Sequence, residues 1–188
     1  LQADLGDLGS VSELVRLAGD VDILVNNAAR FPGAATVDQD IASFDETFDT
    51  NVRGLYFLVA GLVPGMLARG EGSIISVTSM VASKGVPGAS VYSASKAATH
   101  SLTQAARLML KAQGTQVFGV YPGPIDTRMA EGFEMDKTPP SEVARAILEG
   151  VGNGTEEIYP DAVGVQFGVG YAAAPKALEA QVEAMFAA

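Results

Sequence analysis

Strand-like and helix-like segments alternate along this chain, and the alternation limits the possible fold more than any other feature. Short apolar runs typical of strands fall at residues 21–25, 73–78, 116–121 and 156–159. Helical spacing of apolar residues is found at residues 10–19, 41–69, 91–112, 141–151 and 176–186. Strands separated by helices are typical of a parallel sheet with helices on both faces. The sequence therefore predicts an α/β fold with a doubly wound parallel sheet.

Length and composition favour a single domain and disfavour several kinds of partner. The chain has 188 residues, of which 48% are hydrophobic, so we expect residues 1–188 to form one domain around a core. A formal net charge of −10 disfavours binding to the phosphate backbone of nucleic acid. With one histidine and no cysteine, the chain is poor in ligands for a transition metal, and we expect no metal site.

The sequence also leads to expectations about location. We find no apolar stretch of the roughly 18 to 20 residues that span a bilayer. The opening residues Leu1-Gln2-Ala3 lack the basic start of a signal peptide. The absence of cysteine fits a reducing compartment. We therefore expect a cytoplasmic protein without a membrane partner.

Tyr92, Lys96 and Ser79 have a spacing that makes chemical sense. Tyr92 and Lys96 lie four residues apart in a predicted helix, so they share one face, and Ser79 ends a predicted strand thirteen residues before Tyr92. An ammonium beside a phenol favours the phenolate, so we expect Lys96 to lower the Tyr92 pKa below about 10. Such a set is typical of a proton donor and acceptor. An ordinary exposed helix pair and a strand-end cap are the alternatives.

Motifs spread over nearly the whole chain resemble those of the short-chain dehydrogenase/reductase family. In the family's order, they are Asp4-Leu5, Asn26-Asn27-Ala28-Ala29, Asn51, Ser79, the Tyr92 and Lys96 pair, and Pro122-Gly123-Pro124-Ile125-Asp126-Thr127. Ala29 stands where the family usually has glycine. A Tyr-x-x-x-Lys pair alone is a weak pattern, whereas the ordered set is specific. The resemblance implies a Rossmann-like fold with three layers, α/β/α.

The resemblance implies an oxidoreductase that transfers a hydride between NAD or NADP and a carbonyl or alcohol substrate. In that role Tyr92 is the general acid and base, and Lys96 lowers its pKa and holds the nicotinamide ribose. Ser79 orients and polarises the substrate oxygen. Asn51 holds a water that links Lys96 to solvent. A structural hydrogen bond is the alternative role for Asn51.

The resemblance also implies a set of cofactor contacts. These are Asp4 and Leu5 at the adenine, Asn26 and Ala28 in the loop after the first predicted strand, Tyr92 and Lys96, and Pro122, Gly123, Ile125 and Thr127 at the nicotinamide end. Loop shaping is the alternative for Asn26, and a chance acidic residue is the alternative for Asp4. The sequence does not distinguish NAD from NADP.

The glycine-rich turn of the family has no counterpart where it is expected. The family's fold opens with a strand, this turn and a helix whose N-terminus binds the pyrophosphate. Gly6 and Gly9 follow no predicted strand and do not form the spacing Gly-x-x-x-Gly-x-Gly. Two strand-helix-strand units need roughly 60 residues. We therefore expect a fold that lacks its first strands and a chain that is incomplete at its N-terminus.

A non-catalytic dinucleotide-binding sensor or scaffold is the alternative to an enzyme. Such a protein is expected to lose some of the family's Asn, Ser, Tyr and Lys residues, and this chain keeps Asn51, Ser79, Tyr92 and Lys96. The complete set favours the enzyme.

The expected substrate and assembly follow from two other segments. Only eleven residues separate Thr127 from Pro139, where the family has its substrate-covering loop, and Phe133 and Met135 are the apolar residues there. We expect a small-molecule carbonyl or alcohol that is compact or uncharged. The two long predicted helices carry apolar residues over much of their surface, which favours a homodimer or homotetramer.

Overall fold

The structure is a computed structural model that describes residues 1–33 and 39–186. Within these residues, parallel strands form one sheet in the order β1-β2-β3-β4. The strands are β1 (Ile23–Asn26), β2 (Gly72–Val77), β3 (Thr115–Val120) and β4 (Glu157–Ile158). The helices are α1 (Leu8–Ala18), α2 (Ile41–Phe48), α3 (Leu55–Arg69), α4 (Ser90–Leu110), α5 (Pro140–Gly152), α6 (Ala162–Ala173) and α7 (Pro175–Phe186).

Both faces of the central strands are covered, which confirms the doubly wound sheet. Ile74 and Val117 face a core made with α1, α3 and the end of α4. Their chain neighbours Ile75 and Phe118 face a second core that includes residues of α5. Successive side chains of a strand point to opposite faces. The continuous apolar runs of β2 and β3 are therefore those of strands buried on both faces.

β1 does not fit the same description. The predicted strand at residues 21–25 is apolar throughout, as in a strand buried on both faces, but without a strand beside it this run would form an exposed apolar edge. In the structure Leu24 and Asn26 are buried, whereas Ile23 is 61% exposed and Val25 is 52% exposed. In the part of the chain that the structure describes, β1 pairs with β2 alone and lies at the edge of the sheet. In this part of the chain β1 is therefore an exposed apolar edge, as expected for this run without a further strand beside it.

The predicted helix boundaries hold to within two residues. α1 begins at Leu8 because Asp7 is its N-cap, with a side chain that accepts a hydrogen bond from the Gly9 amide. α6 was not predicted from the sequence at all. It begins after Asp161, whose Oδ1 accepts a hydrogen bond from the Gly164 amide at 2.8 Å.

Glycines of α6 do show the spacing Gly-x-x-x-Gly-x-Gly, at residues 164–170, but they have a packing role. They lie inside a helix rather than in a turn after a strand. A Cβ atom at Gly164 would overlap the Tyr121 carbonyl oxygen, and one at Gly168 would overlap the Tyr159 ring. These glycines allow α6 to pack closely beside the ends of β3 and β4.

Helices α2 and α3 join through a π-helical turn, Asp49–Gly54, into one run over Ile41–Arg69. This run of 29 residues is long and apolar enough, by length and composition, to cross a membrane. The expectation that no apolar segment reaches that length was therefore wrong. The run is weak support for a membrane partner, because the core helices of soluble proteins pass the same test. Leu58, Leu62 and Met66 of α3 pack into the first core.

The end of the π-helical turn makes a close backbone contact that predicts a stability effect. A Cβ atom at Gly54 would overlap the Leu5 carbonyl oxygen, whereas one at Gly132 would meet nothing within 4 Å. We expect Gly54→Ala to lower the free energy of unfolding by about 1 to 3 kcal/mol, the usual cost of overpacking. Urea unfolding of both alanine variants tests this. Equal stability of Gly54→Ala and the control Gly132→Ala would contradict the close contact.

Candidate active site

Residues predicted from the sequence converge at the carboxyl ends of the parallel strands. Asn26 ends β1, Ser79 follows β2, and Pro122 follows β3. In open α/β sheets this edge is where ligands bind. The backbone joins two of these segments directly, because the Met80 amide donates to the Pro122 carbonyl oxygen at 2.9 Å.

The structure brings Ser79 and Tyr92 together. Ser79 caps a short 3₁₀ turn, Met80–Ala82, and Tyr92 lies in the first turn of α4. Both residues are half-buried. The Ser79 hydroxyl interacts with the Tyr92 side chain and lowers the Tyr92 pKa. The two hydroxyl groups therefore lie next to each other at this edge of the sheet.

Burial nevertheless controls the Tyr92 phenol and raises its pKa to about 12, against the smaller opposing effect of Ser79. The expectation of a lowered pKa was therefore wrong for this structure. The physical reason is that burial desolvates the phenol. Lys96 Nζ donates to the Val77 carbonyl oxygen at 2.9 Å and lies over the Tyr92 ring, 5.6 Å from the ring centroid. Burial lowers the Lys96 pKa to about 8.

Asn51 lies at the centre of a hydrogen-bond clamp in the π-helical turn. Its side chain is only 2% exposed. Its Oδ1 accepts from the Arg30 amide at 2.7 Å, and its Nδ2 donates to the Arg30 carbonyl oxygen at 2.9 Å. The same Nδ2 donates to Ser95 Oγ at 2.9 Å. Asn51 thus ties the loop after β1 to the helix that carries Tyr92 and Lys96.

Hydroxyl groups of α4 complete this clamp, and the sequence analysis missed them. Ser95 Oγ donates to the Tyr92 carbonyl oxygen at 2.7 Å. Thr99 Oγ1 lies 3.1 Å from the Asn51 carbonyl oxygen. Ser95, Thr99 and Thr103 are buried and recur at four-residue spacing. Small hydroxyl residues on one face of an otherwise amphipathic helix were the sequence signal for this contact.

Asn26 has a buried side-chain amide that could bind a polar ligand. It is 4% exposed, and neither its Oδ1 nor its Nδ2 has a hydrogen-bond partner among the described residues. A buried amide without partners costs free energy. This orphaned amide fits a polar group of a bound dinucleotide. Ala28, two residues later, is exposed at the same edge of the sheet.

Asp161 holds the Pro122-Gly123 turn, and the sequence analysis missed this residue too. Its Oδ2 accepts from the Gly123 amide at 2.7 Å. A Cβ atom at Gly123 would lie 2.6 Å from Asp161 Oδ1, so a larger residue there would require the Asp161 side chain to shift. The sequence signal for this role of Asp161 was its position directly before an apolar helical run, which is the pattern of an N-cap residue.

The other predicted cofactor residues are placed as follows. Ile125 forms a parallel bridge with Thr138, and Thr127 is exposed just before a short turn, Arg128–Ala130. Asp4 accepts from the Gly6 amide at 2.8 Å, and Leu5 packs against the first core. These contacts give Asp4 and Leu5 local structural roles, and their contact with adenine stays a prediction.

The short chain dehydrogenase family model matches residues 1–138, and the chain belongs to this family. An uncharacterized oxidoreductase of Staphylococcus aureus strain MW2 is 28% identical over 152 residues, which cover 77% of this chain. The chain spans 66% of that relative's length, just under two thirds.

Solved structures with the same fold include close relatives. One, described as a short chain dehydrogenase/reductase family protein, is 47% identical with a TM-score of 0.78 over 85% of this chain and 73% of that chain. A short chain dehydrogenase from Burkholderia cenocepacia J2315 in complex with NADP is 29% identical, with a TM-score of 0.91 over 97% of this chain and 79% of that chain. These likenesses confirm the predicted family and the Rossmann-like fold.

The burial of Lys96 predicts a specific pH dependence of stability. The Lys96 pKa falls from 10.5 in an exposed lysine to about 8 in the fold. The unfolded chain therefore binds this proton more tightly, so stability rises as pH increases from 8 to 10.5. That difference corresponds to roughly 3 kcal/mol. We expect urea unfolding at pH 7 and pH 10 to show this rise in the wild type and to show it reduced in Lys96→Met.

Lys111→Met is the matched control, because the Lys111 side chain is 75% exposed. Its stability should follow that of the wild type at both pH values. Parallel pH profiles for wild type and Lys96→Met would contradict the lowered Lys96 pKa.

Proposed function

We propose that this chain carries the proton-transfer site of an oxidoreductase that moves a hydride between NAD(P)(H) and a carbonyl or alcohol substrate. The observation that carries the proposal is the meeting of the Ser79 and Tyr92 hydroxyl groups at the carboxyl edge of the sheet. Lys96 lies one helical turn after Tyr92, and Asn51 binds the same helix. A carbonyl reductase of this kind would use these residues together around the substrate carbonyl group.

NAD(P) would supply the hydride chemistry when bound. Its expected contacts in this chain are Asp4, Leu5, Asn26, Ala28, Tyr92, Lys96, Pro122, Gly123, Ile125 and Thr127. Support comes from the orphaned Asn26 amide and from the related Burkholderia cenocepacia structure, which is a complex with NADP.

Tyr92 is protonated at neutral pH in this structure, because its pKa is about 12. The protonated phenol is the form that can give a proton to a carbonyl oxygen during reduction. Ser79 would donate a hydrogen bond to the same oxygen and stabilise the charge that develops there. Both groups would act on the same substrate oxygen.

Lys96 would support the phenolate that remains after proton transfer. With a pKa of about 8 it is mostly an ammonium at pH 7. A general acid works best when its pKa lies near the working pH. We infer that Nζ moves from the Val77 carbonyl oxygen towards the Tyr92 oxygen during the reaction, where its charge would lower the Tyr92 pKa.

The role of Tyr92 predicts a loss of activity without a loss of fold. Removal of a positioned general acid usually lowers the rate by about 10²- to 10⁴-fold. We expect Tyr92→Phe to lower kcat for ketone reduction by that factor, with the melting temperature and NADPH affinity preserved. Absorbance of NADPH or NADH follows turnover, and fluorescence titration follows binding.

Tyr171→Phe is the matched control. Tyr171 lies on α6 and is 44% exposed, so its hydroxyl should not affect the rate. A Tyr92→Phe protein that keeps most of the wild-type kcat would contradict the role proposed for the phenol.

A further inference from the structure

Three aromatic rings from separate segments meet at the candidate acid–base residue. Phe31 lies in the loop after β1, Tyr92 lies on α4, and Phe133 lies between β3 and α5. The Phe31 and Tyr92 ring centroids are 5.0 Å apart with an interplanar angle of 86°. The Phe31 and Phe133 centroids are 5.7 Å apart at 85°. Both contacts have the edge-to-face geometry that aromatic rings favour.

The backbone of the loop holds Phe133 in this position. The loop is closed at its base, because the Asp126 amide donates to the Thr138 carbonyl oxygen at 3.0 Å. Ala130 is buried, and its carbonyl oxygen accepts from the Phe133 amide at 3.0 Å. The Phe31 side of the contact is fixed by the Asn51 clamp on the neighbouring residue, Arg30.

Apolar surface remains open beside these rings. Phe133 is 39% exposed and Met135 is 46% exposed, while Phe31 is half-buried. An aromatic ring with a free face or edge is a favourable contact for another flat apolar group. The two phenylalanines therefore offer a binding surface next to the Tyr92 phenol rather than a sealed core.

The charge of the loop disfavours an anionic substrate. The loop carries the exposed acidic residues Glu131, Glu134 and Asp136. Its basic residues are Arg128 and Lys137, so acidic residues outnumber basic ones. The net charge of the whole chain is −10, which adds to the repulsion of anions.

We propose that Phe31 and Phe133 select an uncharged ketone, or the matching secondary alcohol, that carries a flat apolar group such as an aryl ring. This inference rests on the proposed function. In the reductive direction the carbonyl carbon gains the hydride of NAD(P)H and the oxygen gains the proton of Tyr92. The products are a secondary alcohol and NAD(P)⁺.

Three substrates distinguish the effect of an aryl ring on kcat/KM from the effect of a negative charge. Acetophenone has the aryl ring without charge, acetone lacks the ring, and benzoylformate has the ring with a carboxylate. We expect kcat/KM for acetophenone to exceed the values for acetone and for benzoylformate by at least about 10-fold, the factor given by a modest difference in pocket contacts. A preference for acetone or benzoylformate would overturn the inference.

Leucine variants test the two rings directly. We expect Phe31→Leu and Phe133→Leu each to lower kcat/KM for acetophenone about 3- to 10-fold, as expected for the loss of one edge-to-face contact. The value for acetone should change less than about twofold, because acetone has no ring to bind. Phe57→Leu is the matched control, since Phe57 also makes an edge-to-face contact with a tyrosine, Tyr56, and is 47% exposed. An unchanged ratio of acetophenone to acetone in both site variants would contradict the proposal.

A binding measurement keeps the inference separate from the proposed reaction. Saturation-transfer NMR should show transfer to the aryl protons of acetophenone in the wild type and in Phe57→Leu, and weaker transfer in Phe31→Leu and Phe133→Leu. If the wild type binds acetophenone in this way but reduces no ketone with either cofactor, the result contradicts the proposed reaction and supports the aromatic binding site. Equal transfer in all four proteins, or none in the wild type, would overturn the aromatic site.

Discussion

The hydrogen-bond clamp at Asn51 is the contact on which the candidate site depends. One buried amide binds both backbone groups of Arg30 and the hydroxyl of Ser95. The loop after β1 and helix α4 are far apart in sequence, and the clamp joins them beside the Phe31–Tyr92 ring contact. The clamp positions Phe31, which follows Arg30, against Tyr92. Its π-helical setting agrees with the frequent occurrence of such turns at functional sites.

Burial and charge act in opposite directions at Tyr92 and Lys96. Burial destabilises both charged forms, so the phenol pKa rises and the ammonium pKa falls. In this structure Lys96 Nζ donates to the Val77 carbonyl oxygen, and burial is the largest influence on the phenol pKa. The protein thus holds a protonated phenol and a weakened ammonium side by side. The proposed movement of Lys96 Nζ towards the phenol oxygen would convert this arrangement into one that favours proton transfer.

The sequence predicted the fold well, because the alternation of strands and helices depends on local patterns, and the roles of the site residues stay predictions. Apolar periodicity indicated β2 and β3, and four-residue spacing placed Tyr92 and Lys96 on one helix face. The direction of the Tyr92 pKa was wrong because desolvation depends on which groups cover the phenol in three dimensions. Asp161 and Ser95 were missed because their partners, Gly123 and Asn51, are distant in the chain.

A double-mutant cycle on Asn51→Ala and Ser95→Ala tests the clamp most directly. Both the free energy of unfolding and kcat/KM would be measured for the wild type, the two single variants and the double variant. Residues in one hydrogen-bond network show coupling energies of roughly 0.5 to 3 kcal/mol, and we expect a value in that range from both measurements. Effects that add to within about 0.3 kcal/mol in both measurements would show that the two residues act independently, and would contradict the clamp.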